Sequence, residues 1–257
     1  MGRPTELYRR ALALRSVDPM EAEGALRAAA AAFGSAGDEV GRGECLLELA
    51  HLALSGASLE EAQRYAARAL DCLAPAGDER AGRAALFAGE MALCCDDEAA
   101  AESWFEMARE RSVGPDRVRA QELLGQLALD HGAHDEAEAH WLAAWRDLED
   151  AGDALRLAEF RQHFAELALS RGRIGETIAQ LEAALVVLDP LRDADAGMLR
   201  ANIHTEIADL QADRGRVQEA ILAYEAALDF YERADLPRQA SRVARRRDAL
   251  RWNAKAG

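Results

Sequence analysis

Small and apolar residues recur along this chain at helical spacing, and the same arrangement keeps returning. A Glu-Ala step, or a close variant of it, starts each copy, with anchors at Glu21, Glu61, Ala100, Glu136, Glu176 and Glu219 and gaps of 40, 39, 36, 40 and 43 residues. One residue after each anchor stands Ala22, Ala62, Ala101, Ala137, Thr177 or Ala220, and seven further on stands Ala29, Ala69, Ala108, Ala144, Ala184 or Ala227. A spacing of seven places both small residues on one stripe of a helix. Between them falls a larger apolar group in most copies: Leu26, Phe105, Trp141, Leu181 and Tyr224, with Ala66 the weak member. Another small residue precedes the anchor by eleven: Ala50, Gly89, Gly125, Ala165 and Ala208.

Turn chemistry divides each copy into two helices. Gly132, Gly172 and Gly215 lie four residues before their anchors, and glycine suits the left-handed conformation that ends a helix. Between copies run SAGD (35–38), PAGD (75–78), VGPD (113–116) and DAGD (150–153), where Gly stops one helix and Asp is placed to cap the next. The pattern predicts helix-turn-helix units near 5–35, 41–74, 80–111, 116–149, 154–188 and 197–233. A last helix over 237–253 opens at Pro237, a favoured first helical position. The first unit fits only in its second half, because Arg10 occupies a small-residue position.

These residues resemble the tetratricopeptide repeat, most clearly in LLGQLALDHGAHDEAEAHWLAAW (123–145) and IADLQADRGRVQEAILAYEAAL (207–228). The period exceeds the usual 34 or so residues and is similar to the extended repeats of bacterial regulators. The resemblance implies an all-α fold: a right-handed α-solenoid of about six repeats in one domain, closed by a polar capping helix. It also implies that the first helix of each pair lines a concave surface. Carried over residue by residue, the groove positions are Leu47, His51 and Leu54; Leu86, Glu90 and Leu93; Glu122, Gln126, Leu129 and Asp130; Gln162, Glu166 and Leu169; and Asp209. A leucine row flanked by carboxylates, with Arg83 and Arg119 as the exceptions, suits a basic or amphipathic segment of a partner protein. Family members that clamp acidic tails use Lys and Asn at these positions; here stand Glu, Leu, Gln and Thr, which argues against that ligand class.

Composition sharpens this reading. The 257 residues carry a net charge of −15, which disfavours nucleic acid and anionic membrane surfaces as partners. The charge is uneven: residues 238–255 hold seven cations and one anion, leaving 24 cations against 45 anions elsewhere. Within that basic helix Arg242, Arg245 and Arg246 are candidates for a secondary contact, with the chain's own acidic face or with a second copy in a homo-oligomer. No stretch of about 18 apolar residues is present to span a membrane, and the first residues show no apolar leader. Four cysteines are too few for a disulfide framework and fit a reducing cytoplasm. Arginine nearly replaces lysine (Lys255 stands alone), which fits a GC-rich bacterial coding sequence.

Candidate chemistry is thin. His131, His134, Asp135 and His140 have spacing that a transition metal could use, but His134 takes a turn-packing position and His140 adjoins the packed stripe. Cys94 and Cys95 are adjacent, a geometry that strains a disulfide, while Cys45 and Cys72 fall inside predicted helices. No phosphate loop, nucleophile elbow or zinc-type cysteine pair appears. The expectation is a binding scaffold or adaptor that uses no catalytic residue, metal or cofactor. The second expectation is a sensor that receives a peptide or small effector and signals through a partner chain.

Overall fold

The structure, a computed structural model, describes residues 2–256; the side chains of Lys255 and Ala256 lie outside what is described. Thirteen α-helices and no strand occur among them. They divide into two compact units, 1–144 and 145–257.

The first unit contains α1 (Arg3–Leu14), α2 (Pro19–Ser35), α3 (Glu39–Ser55), α4 (Leu59–Leu73), α5 (Arg80–Cys94), α6 (Glu98–Arg111), α7 (Pro115–Asp130) and most of α8 (His134–Ala151). From α1 to α7 each helix packs on the next in sequence, α8 meets α7 where Trp141 faces Gly125, and α5 also touches α7, so first helices of successive pairs are neighbours there. The second unit contains α9 (Ala154–Ser170), α10 (Ile174–Leu188), α11 (Ala194–Asp213), α12 (Val217–Arg233) and α13 (Pro237–Ala256), again packed in chain order.

Close approach of paired helices explains the small-residue stripe. All eleven alanines of the two rows beside the anchors, and Thr177, are fully buried. The bulky residue between them inserts opposite the small residue of the preceding helix. A Cβ on Gly89 would lie 2.5 Å from the Phe105 ring, and one on Gly125 would lie 2.2 Å from Trp141 Nε1. Trp141 is fully buried and donates to the Glu122 carbonyl oxygen over 3.1 Å, so its one polar atom is satisfied.

The first pair departs from the register by one residue. Arg10 is exposed and pairs with Glu21, whereas Ala11 takes the buried small position.

Turns inside the second to sixth pairs place a left-handed residue four positions before the anchor, whatever its identity. Gly132, Gly172 and Gly215 have φ of 73°, 71° and 72°, and the equivalent positions in earlier pairs, Ala57 and Asp96, have φ of 60° and 58°. Between pairs, Asp38 and Asp153 cap α3 and α9 through the backbone amides of Gly41 and Arg156. The VGPD segment works otherwise: Gly114 holds the cap position at φ 59°, and Asp116 sits inside the first turn of α7, paired with Arg83. Asp78 also differs, accepting from the backbone amide and the guanidinium of Arg80.

Candidate functional site

The sequence-derived groove residues all lie on first helices: α3, α5 and α7 in the first unit, α9 and α11 in the second. Their exposure separates them. Leu47 and Leu86 are 6% and 7% exposed and belong to the first unit's core, and Leu129 is buried as well. Leu93 is half-buried, and Leu54 and Leu169 reach solvent. Half of the leucine row is therefore packing, and three side chains are left wholly or partly at the surface. His51 packs tilted against Phe87, ring centroids 4.9 Å apart, and its Nδ1 lies 2.9 Å from the Leu47 carbonyl oxygen, so its ring orientation is fixed.

Charges on α5 and α7 compensate one another. Arg119 reaches Glu90 and the buried Glu122, each at 3.2 Å. Arg83 is paired with Asp116, and Gln126 donates to Asp130 over 3.1 Å. Both cations that stood out in sequence are thus already matched to carboxylates, and Glu90 and Glu122 share one guanidinium.

The second unit keeps an excess of acid. On α9 and α11, Gln162, Glu166, Glu206 and Asp209 come together. Burial raises the Glu206 carboxyl above its ordinary range; the Gln162 hydrogen bond opposes this, and the charges of Glu166 and Asp209 add to it. Tyr224 on α12 donates its hydroxyl proton to Asp209; burial first, and then this bond, push the phenol well above its usual range. Glu206 and Tyr224 were missed as site residues in sequence, because neither occupies an inherited groove offset.

The basic helix α13 docks within its own unit. Val243 is fully buried among Tyr224, Leu228 and Tyr231. Arg246 pairs with Asp209 and Arg251 with Glu225, both of the same chain. Arg242 and Arg245 are exposed, and Arg245 donates to the Ser241 carbonyl over 3.2 Å.

The histidines do not converge. Among the described residues no group of three His, Cys, Asp or Glu side chains is arranged to hold a metal. His131 meets Glu98 at 3.0 Å, and His140 meets Gln121 at 3.1 Å, with burial lowering the His140 pKa. Cys45 and Cys72 are buried thiols, the first pushed up to about 12 by burial; Cys94 and Cys95 are exposed and unbridged.

No family model matches this chain. No curated protein matches it either. Solved structures do. The apo form of RapI superposes with a TM-score of 0.65 over the whole of both chains at 13% identity. The assembly chaperone of RpL4, Acl4, gives 0.65 over the whole of both chains at 18% identity. This is the tetratricopeptide-repeat fold. Aspartyl phosphate phosphatase F from Bacillus subtilis has the same tetratricopeptide-type arrangement, with a TM-score of 0.59 at 12% identity over 95% of this chain and 69% of that one. At such identities the likeness is one of fold. Among the described residues no helix of this tetratricopeptide-type chain is long and apolar enough to cross a membrane.

Proposed function

We propose that this chain is a protein- or peptide-binding scaffold that holds a basic or amphipathic segment of a partner against its first-helix faces. The observation that carries the reading is the α9–α11 acid group. Glu206 is kept partly desolvated beside Glu166 and Asp209, an arrangement that disfavours the ionised form and gains most when a cation arrives. Asp209 already accepts one guanidinium, that of Arg246. Leu169, three residues along α9 from Glu166, reaches solvent and supplies apolar contact within the same unit. Acl4 is an assembly chaperone of RpL4, which accords with use of this fold to hold proteins.

A fluorescein-labelled amphipathic Arg/Leu peptide tests the reading by anisotropy. Binding is expected to saturate and to weaken with salt. Glu166→Gln with Glu206→Gln should reduce affinity at least about tenfold, or roughly 1.4 kcal/mol, and flatten the salt dependence. Unchanged affinity in that double variant removes the acid group from the site.

A further inference from the structure

A cavity of about 540 Å³ opens between α2 and α4, with α3 at its floor. Three guanidiniums line it, Arg27, Arg42 and Arg68, and no carboxylate does. In a chain of net charge −15 such a convergence runs against the overall field. The floor is apolar: Leu46 and Leu49 are each 2% exposed, and the Tyr65 ring is 7% exposed.

The three cations are held differently. Arg27 is fixed by Glu23 at 2.6 Å and by donation to the Tyr65 hydroxyl from Nη2 at 3.1 Å and Nε at 3.3 Å. Arg42 pairs with Glu39 at 3.3 Å and lies along Gly34, where a Cβ would meet its Cδ at 3.4 Å. The guanidinium of Arg68 stands 6.0 Å from the Tyr65 ring centroid and has no carboxylate partner among the described residues. A guanidinium has five donors, so one carboxylate leaves Arg27 and Arg42 with hydrogen bonds to offer. The fork geometry of arginine matches carboxylate and phosphate oxygens.

This cavity is separate from the first-helix face. With 3.6 residues per turn, Arg42, Leu46 and Leu49 share one stripe of α3, and Glu44, His51 and Leu54 share the opposite one. The volume falls in the range of small-ligand sites, roughly 300–1,000 Å³.

We infer that the α2–α4 cavity binds a small amphipathic organic anion. Its carboxylate or phosphate head meets Arg68, with Arg27 and Arg42 beside it, and its aryl or aliphatic body lies on Leu46, Leu49 and Tyr65.

Calorimetric titration of the full chain with phenyl phosphate and with 4-phenylbutyrate tests this. One or both should bind saturably at one site per chain, and the preferred probe identifies the head group as phosphate or carboxylate. Arg68→Gln, which breaks no ion pair among the described residues and loses only the approach to the Tyr65 ring within α4, should weaken binding at least about tenfold with unchanged helicity, and Arg27→Gln should weaken it further. Inorganic phosphate should bind more weakly than phenyl phosphate, and neutral 4-phenylbutyramide should not bind. The inference is overturned if neither aryl anion saturates, if the amide or bare phosphate binds as well as its aryl-anion counterpart, if the double arginine variant keeps its affinity, or if only an acidic peptide binds there.

Discussion

Gly125 and Trp141, sixteen positions apart, show how a small residue on one helix makes room for a bulky one on its partner. The same interval joins Gly89 to Phe105, Ala50 to Ala66, Ala165 to Leu181 and Ala208 to Tyr224. In two of these pairs an aromatic ring, Trp141 or Phe105, meets glycine, with no room for a Cβ. Gly125→Ala should therefore destabilise the first unit by about 1–3 kcal/mol, the usual range for overpacking a core. Urea unfolding followed by Trp fluorescence measures it, and no loss of stability would mean that the indole can shift freely. Both rows of this pattern were legible in sequence, since each recurs at a fixed offset. Their coupling was less so, because it becomes visible only when the two helices are placed face to face. Glu206 was harder still. One carboxylate among many on acidic helices has no sequence mark, and only its burial between α9 and α11 distinguishes it.

At the scale of the helix, the turns were read through their glycines, and three of them carry the expected positive φ. Ala57 and Asp96 hold the same left-handed conformation without that signal, because packing of α3 on α4 and of α5 on α6 imposes the turn. A non-glycine residue there is strained by about 1–2 kcal/mol, while glycine adds about 0.5–1 kcal/mol of chain entropy to be lost on folding. Ala57→Gly is thus expected to stabilise the chain by about 0.5–1 kcal/mol, seen as a higher urea midpoint at constant slope. A lower midpoint would show that the Ala57 methyl group contributes packing that outweighs the strain. The VGPD segment misled for a local reason. Pro115 enters at the first helical position, which moves the cap back to Gly114 and carries Asp116 into the helix.

Across the whole molecule the excess of negative charge sets the response to salt. Most ion pairs are solvent-exposed, such as Arg64 with Glu61 and Arg233 with Asp229, and pairs of that kind contribute about 0–1 kcal/mol each. Mutual repulsion within a net charge of −15 is then the larger electrostatic effect. Raising sodium chloride from low to physiological strength, where the screening length is about 8 Å, should raise the Tm read by circular dichroism. A falling Tm would show that the pairs outweigh the repulsion. The packing of each helix on its sequence neighbour has another consequence. Most helix–helix contacts join neighbours in sequence, so helix pairs can condense early without a long search. A chain wired in this way tolerates gain or loss of an entire hairpin more readily than insertion inside one, because only two interfaces must be rejoined.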